Sequence, residues 1–298
     1  MSILAQATSG KQIGPQIHVI AGINGVGKTT WAASFPNAIV IDLEKGSEHI
    51  NVSRVTSSLL PDFATFRLTL KELATAKHSY KTVVIDSVEA LEGLINDAVC
   101  IEGKVKSIED YGAGYGKGYT RARELMREVI GDLREFQKIG ITTILVGHTQ
   151  VKTHTDPATN QTYDRVVMRC NDKMASLIRD MADNVFYASY KVFTTEKNKK
   201  TQAFGDGQRV LYCQSRPGFD AKNRLDLPLE IPLSYEAFLE ACGKSDDTVL
   251  SDIEQMSEKL NDQLRAKIKD QVSKNKTNPA KLKEIKNRLM TYVSAQGA

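Results

Sequence analysis

Residues Gly22, Ile23, Asn24, Gly25, Val26, Gly27, Lys28, Thr29 and Thr30 follow one another in the pattern G-x-x-x-x-G-K-[ST], with every fixed position filled. Glycines at 22, 25 and 27 carry no Cβ, so the chain can curl there and aim successive N–H groups at phosphate oxygens. Lys28 brings a point charge to β- and γ-phosphates, and the Thr29 hydroxyl suits Mg²⁺. The expected ligands are therefore a nucleotide and Mg²⁺.

Three more polar residues each close a short apolar run. Residues 38–44 are rich in β-branched side chains and end in Glu44, residues 81–86 end in Asp86, and residues 141–147 lead into His148. Such runs read as buried parallel strands, and ligands of an open α/β sheet sit beyond the carboxyl ends of its strands. Asp86 is the expected second Mg²⁺ residue, with a helix N-cap as its plainer alternative. Glu44 is the candidate for orienting the water that attacks the γ-phosphate, the alternative being a solvated strand-end charge. His148 can sense the γ-phosphate or merely cap a turn. The residue after Asp86 is Ser87, which speaks against the common AAA+ arrangement with a glutamate in that place and directs the search for a base to Glu44.

Stepping outward, residues 17–21 form an apolar strand into the phosphate loop and residues 29–35 a helix out of it, as the motif requires. Apolar residues at 63, 66, 70, 73 and 74 mark a helix within 61–78, and a long amphipathic helix ends near Lys138 before Gly140. A helix over 172–181, a strand over 184–190 and a hairpin pairing residues 192–195 with 209–214 through a turn at 197–200 complete a domain spanning 17–243. Residues 1–16 form a lead-in. Residues 244–298 form an arm of two amphipathic helices, introduced by a linker at 243–247, the second starting at Pro279; its first part is acidic and its remainder basic.

Two stretches suit nucleic acid. Between 111 and 123, glycines alternate with Tyr111, Tyr115, Tyr119, Lys117 and Arg121. Phenol faces can stack on bases while cations meet phosphates; the plainer reading is a flexible connector. The polar segment 151–173, with Lys152, Arg165 and Arg169, reads as a long loop, which inside a compact domain is usually functional.

Composition constrains partners only weakly. Forty basic against 36 acidic residues give a net charge of +4, permitting an anionic partner without demanding one. The four cysteines include no C-x-x-C pair, which suits a reducing cytosol, and no apolar run is long enough to cross a membrane. A soluble cytoplasmic protein is expected. No Asn-Lys-x-Asp guanine motif occurs.

Taken together, the Gly-Lys-Thr-Thr run, the strands ending at Glu44, Asp86 and His148, and Lys222-Asn223-Arg224 resemble the core of RecA-type recombination ATPases. The likeness is strongest to compact phage ATPases that anneal single strands, and it covers about residues 15–243. It implies an α/β fold with a mainly parallel central sheet flanked by helices, assembly with itself as a ring or filament, and single-stranded DNA as partner. It also implies that Lys222 and Arg224 reach a neighbouring subunit's nucleotide, and that loops 103–119 and 149–171 face DNA. His148 departs from the glutamine of RecA. Rival readings are an adaptor that recruits a single-strand-binding protein or helicase, and a P-loop kinase for a small molecule.

Overall fold

The computed structural model describes residues 14–197, 200–257, 260 and 262–275, and then 281, 282, 285, 288 and 289. One compact unit is Gly14–Phe238, and a second holds the described residues from Leu239 onward.

The first unit is built on strands β1 (Ile17–Gly22), β2 (Ala38–Asp42), β3 (Ser53–Thr56), β4 (Thr82–Asp86), β5 (Thr142–Thr155), β6 (Thr162–Met168) and β7 (Asn184–Tyr190). β8 (Phe193–Lys197), β9 (Lys200–Phe204), β10 (Arg209–Tyr212) and β11 (Glu230–Pro232) follow. The main sheet runs β11-β10-β7-β1-β5-β4-β2-β3. Its members from β7 to β3 are parallel, and β10 and β11 close one side antiparallel. This is the expected α/β architecture.

The strands β1, β2 and β4 are buried at every position, as central parallel strands must be. Alternation along them separates two faces. Ile17, Val19, Ile39, Ile41, Val83, Ile85 and Leu145 join the core formed with α2 (Phe63–Thr75), α3 (Val88–Gly103), α4 (Lys117–Lys138) and α5 (Asp172–Met181). On the other face His18, Phe186 and Phe238 form an aromatic cluster with Trp31 and Phe35 around α1 (Lys28–Ala33). The strand order matters for chemistry because β5 lies between β1 and β4. It brings His148 in between the phosphate loop and Asp86.

Several expectations are corrected. Residues 151–173 are not a loop: β5 continues to Thr155 and pairs with β6 as an antiparallel hairpin. β8 pairs with β9, not with 209–214, which instead supplies β10 to the main sheet; the turn residues 198 and 199 lie outside the described set. Helix α6 (Tyr235–Ser257) runs through the supposed linker. Within the second unit, α6, α7 (Asp262–Lys274) and later residues share an apolar seam of Ile253, Leu282, Ile285 and Leu289. Most of the lead-in and of the helix expected from Pro279 fall outside the described residues.

Candidate active site

Gly27 sits at φ 103°, a conformation L side chains rarely adopt, and so lets the loop turn into α1. Gly22 is required for a different reason: a Cβ there would lie 2.3 Å from the carbonyl oxygen of Ala188 in β7. Val26 is fully buried and anchors the loop, while Ile23, Asn24 and Thr30 are exposed along it. Lys28 is 5% exposed. Its ammonium donates to the carbonyls of Gly22 at 3.1 Å and Ile23 at 2.9 Å and faces His148 Nδ1 at 3.4 Å. Burial draws its pKa down against the opposing charges of Asp86, Glu89 and Glu44.

The Thr29 hydroxyl donates to Asp86 Oδ2 at 2.6 Å. Asp86 is only 4% exposed. Burial pushes its pKa up, and the nearby carboxylates Glu44 and Asp42 add to this against the Thr29 hydrogen bond and Lys28. A buried carboxylate under that load, already joined to a hydroxyl, is a hard-oxygen donor pair that a small divalent cation would relieve. Thr29 and Asp86 therefore fit Mg²⁺, and the loop fits a nucleotide phosphate.

Glu44 reaches the same place from the end of β2. It accepts hydrogen bonds from the Ser87 hydroxyl and, at 3.1 Å, from His148 Nε2. Because Nδ1 of the same ring faces the Lys28 ammonium, Nδ1 is the acceptor and Nε2 the donor. Burial opposes ionisation of Glu44, but the hydrogen bonds from Ser87 and His148 and the charge of Arg169 outweigh it and hold its pKa low. The serine that stands where a glutamate was looked for is thus itself bonded to the glutamate from the next strand. Asp42, wholly buried, folds the β2 exit by accepting from Gly46 N at 3.0 Å, Ser47 N at 2.9 Å and Ser47 Oγ at 2.6 Å.

The candidate DNA-facing residues are arranged differently from expectation. Ser107–Tyr119 is not an open loop: a 3₁₀ turn over Ile108–Ala113 leads into α4, and Gly118 lies so close to Ile108 that a Cβ would meet its carbonyl oxygen at 2.0 Å. Tyr111 packs on the core and donates to Glu102 at 2.7 Å. Arg121 is held by Glu102 at 3.0 Å and Glu124 at 3.1 Å. Tyr119 donates to Glu109 at 3.3 Å and Lys117 to the Gly112 carbonyl at 2.9 Å. Only Tyr115 among these projects fully, at 97% exposure.

On the hairpin, Lys152 pairs with Asp172 at 2.6 Å, and Arg165 shares Asp220 with Arg179. Lys222 is occupied within its own chain, donating to the carbonyls of Arg179, Asp180 and Ala182 at 3.1, 3.1 and 2.6 Å and so capping the end of α5. Arg224 pairs with Asp183 at 2.9 Å and keeps more than half of its side chain exposed.

Other residues at the site have no motif to announce them. Glu89 Oε1 accepts from His148 N at 2.9 Å, and Glu92, three residues further along α3, accepts from Asn171 N at 3.0 Å. Burial and the charge of Glu89 raise the Glu92 pKa against that hydrogen bond. Arg209, at the start of β10, lies over Gly27, so that a Cβ on Gly27 would come within 2.9 Å of its guanidinium. Position in the first turn of α3 was the one available sequence signal for Glu89; for Arg209 there was none, because antiparallel pairing of β10 with β7 brings it there.

A phosphate loop at the end of β1, a hydroxyl and buried carboxylate fit for Mg²⁺, and a carboxylate beyond them define a P-loop ATPase. Residues 15–225 match the family described as AAA domain, and the chain belongs to it. Over 193 residues it is 25% identical to the SPbeta prophage-derived uncharacterized protein YorG of Bacillus subtilis (strain 168). That match covers 63% of this chain and 54% of the relative, so the chain spans about half the relative's length. The crystal structure of the KaiC-like protein PH0186 from Pyrococcus horikoshii OT3 aligns with 74% of this chain and 85% of its own, at 14% identity and a TM-score of 0.35. Among the described residues no helix is long and apolar enough to cross a membrane.

Proposed function

We propose that this ATPase is a RecA-like switch that assembles on single-stranded DNA and promotes strand annealing or exchange in phage recombination or replication. The observation that carries the reading is the course of β5. Residues 143–147 are buried in the sheet between β1 and β4, His148 stands at the phosphate loop, and the same strand continues to Thr155 as one arm of the β5–β6 hairpin. A γ-phosphate that draws Lys28 away from His148 alters the residue from which the hairpin springs. The prophage-derived relative supports the phage setting.

In hydrolysis a water oxygen bonds to the γ-phosphorus while the bond from phosphorus to the β–γ bridging oxygen breaks, and ADP leaves with that electron pair. Glu44, kept ionised by its hydrogen bonds, orients the water and takes its proton as the new bond forms. Lys28 holds the β- and γ-oxygens, and Thr29 and Asp86 would hold a Mg²⁺ whose charge would favour the same displacement.

A second reading has its own observation. Lys152 and Arg165 are already paired with carboxylates, and Asp156 and Asp164 share their hairpin, which leaves it without a net positive charge. Such a surface suits a protein partner, as in a nucleotide-gated adaptor for a single-strand-binding protein or helicase. ATP hydrolysis by purified protein with and without single-stranded DNA, with a sizing run and a Lys28→Ala control, separates the two. Stimulation together with larger assemblies is expected; hydrolysis indifferent to DNA, with no complex in ATP, would leave the adaptor.

A further inference from the structure

We propose that Arg169 is a catalytic arginine supplied within the same chain, which contacts the γ-phosphate from the root of the β5–β6 hairpin. The inference rests on hydrolysis at this site, not on DNA as the partner.

Three observations carry it. First, Arg169 follows directly after β6, and its N–H donates to the His148 carbonyl at 3.1 Å. This places it beside the residue whose ring bridges Lys28 at 3.4 Å and Glu44 at 3.1 Å, the two groups that bracket the expected γ-phosphate. Second, this backbone position is held firmly on both sides, since His148 N is bonded to Glu89 and Asn171 N to Glu92. Third, Arg169 is exposed and, among the described residues, no carboxylate holds its guanidinium, whereas Lys152, Arg165, Arg179 and Arg224 each have one. Its charge also acts on both bracketing groups, adding to burial in disfavouring the Lys28 ammonium and favouring ionised Glu44. A guanidinium that no carboxylate holds among the described residues, carried on a backbone bonded to His148, is a planar donor fork of the kind that can contact two equatorial phosphoryl oxygens at once.

The commitment of Lys222 to three carbonyls strengthens the assignment, because the cation expected from a neighbour is engaged at home. As the γ-phosphate separates from the bridging oxygen, Arg169 stabilises its equatorial oxygens while Lys28 stays on the β–γ side. No proton is exchanged with either.

The test uses the full chain with Arg169→Ala and Arg169→Lys, reading turnover, affinity for a non-hydrolysable ATP analogue, and retention of ADP with aluminium fluoride as a mimic of the transferring phosphoryl. The expected result for Arg169→Ala is a turnover loss of at least ~100-fold, analogue affinity within about threefold, and loss of the aluminium fluoride complex. Arg169→Lys keeps the charge without the fork and is expected to recover less than a tenth of the turnover. Mixing Arg169→Ala with Lys28→Ala protein decides which chain supplies the group. No recovery is expected, and restored turnover would mean that the arginine acts on a neighbour. Unchanged turnover in Arg169→Ala beside an active parent, or a loss confined to affinity, overturns the assignment alone; an inactive parent overturns the ATPase reading with it.

Discussion

The phosphate end of the sheet and the hairpin with its neighbouring tyrosine-rich turn handle charge in opposite ways. At the first, Asp86 is buried with its pKa pushed up and Lys28 is buried with its pKa pulled down. At the second, Arg121, Lys152 and Arg165 each hold a carboxylate. A site that leaves its charges under-compensated is complete only with its ligand, whereas a surface whose charges already match loses pairs when a ligand arrives. Richness in cations is therefore a poor guide to which region binds anions; unmet electrostatic need is the better one.

The largest effect expected from breaking this contrast is at Lys28. Lys28→Ala should lower ATP turnover by ~100-fold or more, measured as phosphate release at saturating nucleotide. Asp86→Asn should lower turnover to a similar degree and yet raise the melting temperature of the nucleotide-free protein by about 2–4 °C per kcal/mol relieved. The sign follows from the raised pKa: folding favours the protonated form, so the ionised group costs stability as pH rises through and above the ordinary carboxylate value, and asparagine removes that cost while still accepting from Thr29. A melting temperature that falls would show that the Thr29 and Lys28 contacts outweigh burial.

Glu44→Gln should reduce turnover ~100-fold with little change in nucleotide affinity, because it keeps the shape and loses the charge that orients water. Smaller still is an acid effect in the aromatic cluster around α1. His18 is 4% exposed, and burial lowers its pKa to about 4 despite the attraction of Asp183. The unfolded chain takes up that proton near pH 6.5 and the folded one does not, so stability is lost as pH falls from 6.5 toward 4, by about 3 kcal/mol in all. Melting curves of His18→Phe across pH 6.5 to 5 should be correspondingly flatter. The least effect is expected at Lys152. Lys152→Ala should cost under ~1 kcal/mol of stability and change the salt dependence of single-strand binding by less than one phosphate contact. A full unit of slope would show that Lys152 exchanges Asp172 for phosphate, and would erase the contrast.

Legibility followed the same division. The phosphate loop is contiguous, and Glu44, Asp86 and His148 each close an apolar strand, so local pattern and the geometry of parallel sheets sufficed to gather them. Residues 151–161 are polar enough to read as a loop, whereas the pairing of 151–155 is fixed by the partner strand at 162–168. The glycines and tyrosines of 111–119 looked mobile because the reason for Gly118, contact with Ile108, is tertiary. The bonds of Lys222 to the end of α5 are not legible either, since nothing local reveals that this helix end needs a cap.

The two carboxylates of α3 have a mechanical consequence. Glu89 and Glu92 stand one helical turn apart and hold the two places where the chain enters and leaves the hairpin, so they pin both of its ends to α3. From His148 to Thr155 the hairpin arm extends about 23 Å. A displacement of about 1 Å near the pins, the scale on which phosphate contacts are made or lost, becomes several times larger at the tip.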